Sequence, residues 1–473
     1  MLQQPCDRAI ARAMPETIDA PPRHASWILA TTILASSVAF IDGSVVNVGL
    51  PAIGRSLNEG GSALAWVVNG YLLPLSALLL FGGAAGDLYG RRRLLVVSSV
   101  LFATASLVCA LAPSFPWLLA GRALQGIAAA FLLPNSLAIL GSNFTGASRG
   151  RAIGIWAAFG AAVGAVAPIL GGWLIDAIGW RAIFFVNLPI AVATIVLALR
   201  YVPNERDHAH VPLDVAGGAL ATLALGAATW GLTAWSAARQ PDASAIVALT
   251  VSVVAFVAFL LVERRLGGRA MLPLVLFEVP EFIGLTLLTL LLYGALGGML
   301  VLIPYALIEA RGYSATAAGA ALIPLPLVIA FGSSTMGRLA SKLGSRLPLM
   351  VGSIVTAIGF ALALRIGMSG NYWTTVFPAL LCVSIGMTAT AAPLTNAVLA
   401  SVDRERSGVA SGFNSAIART GGLVATALLG GVLAAQGNAL VAPFKVAALV
   451  ATGAAIAASI CAFVWIGRGD SVR

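Results

Sequence analysis

Residues 63–92 read ALAWVVNGYLLPLSALLLFGGAAGDLYGRR. No charged residue stands between Ala63 and Gly86, and then Asp87, Arg91 and Arg92 arrive together. At 1.5 Å rise per residue, roughly 20 apolar residues cross the hydrocarbon of a bilayer. The stretch is therefore expected to be a transmembrane helix that stops in a charged loop bounded by Gly83 and Gly90. The same ending returns at Gly337-Arg-Leu-Ala-Ser341-Lys-Leu-Gly344-Ser-Arg346, again with two glycines seven apart and basic residues behind the second. A second pair matches as well: Arg149-Gly-Arg-Ala-Ile-Gly154 opens one apolar run and Arg406-Ser-Gly-Val-Ala-Ser-Gly412 opens another.

Working outward, apolar runs long enough to span lie near 27–49, 63–85, 94–112, 116–141, 151–174 and 181–200. Two follow near 213–235 and 244–262, and six more near 281–307, 315–337, 347–366, 372–398, 407–434 and 442–466. The repeated endings lie eight runs apart, which predicts two six-helix halves separated by an inserted pair. Repeated halves are a transporter signature, with the substrate site between them near the midplane. The fold expected is an all-α polytopic membrane protein of 14 transmembrane helices. Its parts are a tail at 1–25, a bundle at 26–200, a linker with two inserted helices at 201–270, a bundle at 271–466 and a tail at 467–473.

Composition agrees. The 473 residues are 59% hydrophobic and only 10% charged, against about 25% charged in soluble domains. Charge placement tests the count. With the N-terminus in the cytoplasm, twenty of the 28 Lys and Arg residues fall on the cytoplasmic side, six fall opposite, and Arg122 and Arg419 lie inside spans. That is the positive-inside bias, and one miscounted helix would destroy it. Both termini are thus expected in the cytoplasm of a multi-pass inner (plasma) membrane protein. The first run has no small-residue cleavage site and is longer than a signal-peptide core, so it reads as a retained anchor.

Several classes are excluded. The net charge of +10 is spread over short loops and gives no nucleic-acid patch. Cys6, Cys109, Cys382 and Cys461 lack metal-ligand spacing, and His24, His208 and His210 form no catalytic arrangement. No enzyme, metal site or cofactor is expected.

The motifs resemble those of the major facilitator superfamily. Gly83 to Arg92 resembles its cytoplasmic loop motif, with Gly83, Asp87, Gly90, Arg91 and Arg92 matching. Gly121-Arg122-Ala-Leu-Gln125-Gly126 resembles its fourth-helix arginine motif. Gly160, Gly164, Pro168, Gly171 and Gly172 resemble the fifth-helix motif associated with antiporters. Asp42-Gly-Ser-Val-Val-Asn47-Val-Gly-Leu-Pro51 and Trp180-Arg-Ala-Ile-Phe-Phe-Val-Asn187-Leu-Pro189 resemble first- and sixth-helix motifs of the drug:proton antiporters. With the inserted pair, the chain resembles the fourteen-span branch of that group over everything after residue 25. Departures are Leu88, where a basic residue is usual, Ala167, where a glycine is usual, and Ser341, which replaces an acid.

The resemblance implies a proton-driven exporter of amphipathic small molecules, of drug or multidrug resistance type, working by alternating access. Its partners would be the substrate, protons and membrane lipid; a periplasmic adaptor stays open. A dedicated exporter of an endogenous metabolite or lipid precursor, or a proton symporter, are the alternatives.

Asp42 is the one carboxylate placed well inside an expected span, and such residues are functional by default. Burial favours a neutral carboxyl and an adjacent cation favours the anion, so the pair of effects can tune proton exchange. Asp42 lies roughly 12 Å and Arg122 roughly 9 Å from the same side, which makes a pair with Arg122, direct or through Gln125, plausible; a static ion pair is the competing reading. Asp87 is expected either as a solvated charge or as a latch: the resemblance implies that it approaches the N-terminus of the helix that begins near Ser407, where a carboxylate gains about 0.3–1 kcal/mol. The glycine ladder is expected to pack tightly. Cavity candidates are Asn47, Asn69, Asn135, Tyr293, Asn396 and Arg419, with Trp66, Tyr71 and Tyr305 beside them. Glu309 and Asp176 read as interfacial.

Overall fold

The structure is a computed structural model that describes residues 24–204, 213–237, 242–267, 270–367, 370–403 and 406–467. The two expected tails lie almost wholly outside the described residues. No strand occurs among the described residues. The helices are α1 (Ala25–Leu57), α2 (Ser62–Tyr89), α3 (Arg91–Ala110), α4 (Phe115–Asn143), α5 (Gly146–Ala177), α6 (Ala182–Phe185), α7 (Asn187–Tyr201), α8 (Val215–Ala237) and α9 (Ala243–Leu266). After a 3-10 turn at Leu274–Glu278 come α10 (Pro280–Glu309), α11 (Ala315–Ala321), α12 (Pro324–Leu343), α13 (Arg346–Leu362), α14 (Tyr372–Ala400), α15 (Ser407–Leu428), α16 (Gly430–Leu433) and α17 (Asn438–Trp465).

Thirteen helical spans among the described residues are long and apolar enough to cross a membrane. The expected run at 407–434 is helical too, as the 22-residue α15 followed by α16, but Ser411, Asn414, Ser415, Arg419 and Thr420 make it more polar than the rest. A proline explains where the run at 315–337 breaks. Pro324 cannot donate into a continuing helix, and α11 and α12 are separated at Leu322 and Ile323. The α2–α3 corner needs no loop, because Gly90 (φ 95°) caps one helix and starts the next in a conformation that side chains resist.

Packing sorts the helices. α2 packs on α4, α4 on α3, α1 on α5 and α7; in the second group α10 packs on α15 and α17, α13 on α14 and α17, and α12 on α14. The groups meet along four seams: α2 with α15, α5 with α11 and α12, α1 with α10, and α2 with α16. α8 lies along the first seam and touches both α2 and α15, while α9 packs on α8. Ser236 on α8 donates to the Ala427 carbonyl at 3.0 Å, and Trp230 sits 5.8 Å from the ring of Trp66 on α2. The far face of α9 exposes Val247, Val253, Val254 and Phe256, as expected of a surface solvated by lipid.

The α8–α9 hairpin is fastened at one end by two acids. Glu263 is buried, its Oε1 receives no donor, and it faces Asp214 across Gly217. Leu272 N–H donates to Glu263 Oε2 at 2.8 Å, and Gly217 N–H to Asp214 Oδ1 at 2.7 Å. These contacts tie the hairpin to the segment that enters α10.

Candidate site: a buried Asp42–Arg122 network beside a central cavity

Two glycines set the site. Gly121 lets α4 approach Cys109 and the Ala105 carbonyl of α3, and Gly126 lets it rest on Tyr71 and Pro74 of α2. A side chain at either position would collide with these groups. Between the glycines, Arg122 and Gln125 are three residues apart and share one helix face. That face is pressed toward α1, where Asp42 points inward.

The result is a dry network. Asp42 and Arg122 are each 1% exposed and form an ion pair through Oδ2 and Nη1. Gln125 Nε2 donates to Asp42 Oδ1 at 2.9 Å and to Ser106 Oγ at 2.9 Å. Asn187 Nδ2, on the first residue of α7, reaches Asp42 Oδ1 at 3.2 Å. Arg122 also donates to Gln125 Oε1 at 2.8 Å and, from Nε, to the Val67 carbonyl at 2.9 Å. Its guanidinium lies 4.6 Å from the centre of the Tyr71 ring, a distance at which cation and π face attract. Tyr71 in turn donates to the Ala39 carbonyl at 3.2 Å. Both Asp42 oxygens are therefore occupied by donors. Removing one partner of such a buried pair costs about 3–5 kcal/mol, because the other charge is left uncompensated.

The structure thus brings together Asp42, Arg122 and Gln125, the three residues that the spacing argument groups. It missed Asn187 and Ser106 as members. Asn187 stood in a quoted motif, whereas Ser106 is one small hydroxyl in an apolar run and carries no signal. Cys109 also packs against Gln125 (Sγ to Oε1 3.5 Å).

Three cavities adjoin. One of about 300 Å³ is lined by Asn47, Tyr71, Arg122, Tyr293, Arg419 and neighbouring apolar groups from both helix groups. A vestibule of about 470 Å³ shares Arg419 with it and runs toward Arg91, Arg149 and Gly408. A third, about 290 Å³, shares Asn47 and ends at Pro168 and Leu322. Asn47, Tyr293 and Arg419 are thus cavity residues. Asn69 is buried away from all three, Asn135 instead donates to the Gly82 and Phe131 carbonyls at 3.0 and 2.7 Å, and Asn396 is exposed. Tyr305 donates to the Leu433 carbonyl at 2.7 Å and also lies elsewhere.

The two ends of the seam differ. At one end Asp87 pairs with Arg91 at 2.8 Å within its own group; the expected contact with the start of α15 is not made. Arg92 donates to the Leu199 carbonyl and Arg91 to the Ala138 carbonyl at 3.4 Å, which binds the corner to α7 and α4. The glycine that this corner cannot replace is Gly86, against which the Asn135 amide is seated. At the other end α5 and α11 touch backbone to backbone: Gly172 abuts the Ala315 carbonyl, and Gly319 abuts that of Pro168. Gly171 packs on Val45 and Gly160 on Phe40, whereas Gly164 faces open space on the third cavity. Asp176 accepts from the Ala315 and Thr316 N–H groups at 3.1 and 2.8 Å and from the Thr316 hydroxyl at 2.6 Å. Arg55 and Glu309 pair at 2.6 Å across the seam.

A family model described as Major Facilitator Superfamily matches residues 32–283 and 285–473. The multidrug resistance protein Stp of Mycobacterium tuberculosis is 33% identical over 417 residues, covering 88% of this chain and 77% of that one. A probable actinorhodin transporter of Streptomyces coelicolor is 32% identical over 89% of this chain and 75% of its own length. The methylenomycin A resistance protein of Bacillus subtilis is 31% identical over 86% and 87%. Among solved structures, an auto-inhibited POT family peptide transporter superposes with TM-score 0.67 at 16% identity over 94% of this chain and 98% of that one. A bacterial Spinster homologue, inward-facing and unoccupied, gives 0.62 at 18% identity over 93% and 97%.

Proposed function

The chain belongs to the major facilitator superfamily, and on that footing we propose that it is a proton-coupled exporter of amphipathic small molecules in the inner (plasma) membrane. The observation that carries the coupling is the fully buried Asp42–Arg122–Gln125–Asn187 network beside a cavity. The names of the relatives, drug resistance and antibiotic export, support the direction.

In this reading α15 is the thirteenth of fourteen spans, and α8 and α9 are the inserted pair between two six-span halves. The termini and the Asp87 end face the cytoplasm. Substrate enters through the vestibule and reaches the 300 Å³ cavity, while the contacts of α5 on α11 close the far end. The halves then rock around the site.

Three donors reach Asp42, two on Oδ1 and one on Oδ2, and all of them favour the anion, so a proton that binds the carboxylate weakens its hold on α4 and α7. Arg122, released from Asp42, keeps Val67 and Tyr71 as partners, and both lie on α2. These partners are neutral, so the change of state leaves the guanidinium hydrogen-bonded but without its counter-charge, at an electrostatic cost.

The test uses purified protein in proteoliposomes with an imposed pH gradient. Asp42→Asn is expected to abolish substrate efflux driven by the gradient, at least 100-fold, while substrate exchange without a gradient persists. Full proton-driven efflux by Asp42→Asn would end the proposal. A second reading, export of a self-made metabolite, is favoured by the Streptomyces coelicolor relative named for actinorhodin. A deletion strain that shows wild-type drug susceptibility but retains one of its own products inside the cell would establish it.

A further inference from the structure

Arg419 is the guanidinium that the coupling network does not use. It stands on α15 and lines both the vestibule and the 300 Å³ cavity, at the point where they join. Its hydrogen bond is to the Ser415 carbonyl of its own helix, at 3.2 Å. Of the other arginines that line these cavities, Arg122 pairs with Asp42 and Arg91 with Asp87, while Arg149 in the vestibule forms no ion pair among the described residues. Among the described residues no Asp or Glu lines any of the three cavities. A charge at this depth without an acid is expensive and is kept where it serves a ligand or an ion.

From this we infer that the transported compound is an amphipathic anion whose acidic group, a carboxylate, sulfonate or ionised phenol, binds Arg419. The inference rests on the transport reading above and specifies its substrate class. Guanidinium presents paired N–H donors that match such oxyanions bidentately. The rest of the cavity suits the remainder of the molecule. Val46, Leu72, Leu296 and Leu300 give an apolar wall, and Gly43, Gly297 and Gly422 keep it flat. Tyr293, facing Arg419 from α10, offers a hydroxyl, and the Asn47 Oδ1 accepts from no group of the protein. A cation would meet Arg419 with no carboxylate in the cavity lining among the described residues, since Asp42 lies behind that lining and is already paired with Arg122. The volume, about 300 Å³, suits one or two fused rings with a short acidic arm.

The experiment measures equilibrium binding of three matched radiolabelled probes to the full chain in lipid nanodiscs at neutral pH. The probes are 1-naphthylacetate, the uncharged 1-naphthylacetamide and the cationic 1-naphthylmethyl-trimethylammonium. The acetate is expected to bind at least tenfold more tightly than the amide, equivalent to about 1.4 kcal/mol, and the cation more weakly than both. Arg419→Gln is expected to bring the acetate down to the amide's affinity and leave the amide unchanged; Arg419→Lys keeps the order of the probes with a smaller gap. Equal binding of acetate and amide, preference for the cation, an unaltered acetate preference in Arg419→Gln, or saturation by none of the three would each overturn the assignment. Should Arg419→Gln fail to fold, the probe order in the unaltered chain and in Arg419→Lys still decides. Binding is read without a proton gradient, so this outcome is separate from that of Asp42→Asn. Anion selectivity with failed coupling leaves Arg419 in place, and coupled transport with no charge preference removes it.

Discussion

The two ends of the seam between the helix groups place a carboxylate at a corner, and they use it differently. Asp87 sits where α2 turns into α3 and spends its charge on Arg91, four residues on, in an exposed pair. Such pairs contribute about 0.3–0.5 kcal/mol and hold nothing across the seam. Asp176 sits at the end of α5 and accepts from the first N–H groups of α11, which belongs to the other group. The arrangement expected of Asp87, a carboxylate on a helix N-terminus of the opposite half, is therefore realised at the other end of the molecule. The same physics is thus used at one end only in this structure, where the Asp176 end is fastened and the Asp87 end is open on a vestibule.

The fastening has layers, and the strongest is steric. Gly172 and Gly319 bring backbones of α5 and α11 into contact, so a branched side chain at Gly172 must push the helices apart. Overpacking typically costs about 1–3 kcal/mol, and here the relief lies in opening the seam. Gly172→Leu is expected to move the population at the Asp176 end from closed to open at least tenfold, seen as a longer spin-label distance between α5 and α11. An unchanged distance distribution would show that the contact is incidental. Asp176→Ala is expected to do the same more weakly. Losing an N-terminal cap costs about 1 kcal/mol, a roughly fivefold shift, and Asp176→Asn should retain part of the effect because an amide oxygen still accepts. Weaker again is Arg55–Glu309, whose arginine is 63% exposed. An exposed pair is worth about 0.2–1 kcal/mol and fades with salt. Arg55→Gln should shift the same distance less than fivefold at low ionic strength and negligibly at high.

How much of this the sequence disclosed follows from what kind of signal each part leaves. Spans are written in apolar length, and the charge bias over the loops added a check, so the helices were legible. Their breaks were less so, because Val186 and Leu429 interrupt helices without any marker at those residues. Asp42 and Arg122 announced themselves as charges inside apolar runs, and equal depth named them as partners. Ser106 and Gly86 did not, and Asn135 reads from sequence as a cavity residue although it holds α2 to α4, since small polar and glycine residues are common in any membrane helix and only their neighbours give them roles. Asp176 and Glu309 were read as interfacial because both lie near span ends. What they do depends on contacts across the seam, and no property of a single helix encodes those. Arg419 was visible as a deep charge, but its lack of an acid partner is a statement about space.

The smallest expected effect separates the two ends most sharply, because it has the opposite sign. In the present conformation Asp87→Asn loses only the pair with Arg91, about 0.3–0.5 kcal/mol, and the corner remains tied by Arg92 to Leu199 and by Asn135 against Gly86. If Asp87 moves onto the start of α15 when the vestibule closes, as Asp176 now lies on α11, the variant loses about 0.3–1 kcal/mol in that other state. The second loss outweighs the first by at most about 0.7 kcal/mol, a shift of up to about threefold toward the conformation seen here, whereas Asp176→Ala shifts the population away from it. Spin labels on α3 and α15, read in both variants and in the double variant, give the two signs directly. A shift of Asp87→Asn in the same direction as Asp176→Ala would mean that the acids act at one end together, and the alternation between ends would have to be abandoned.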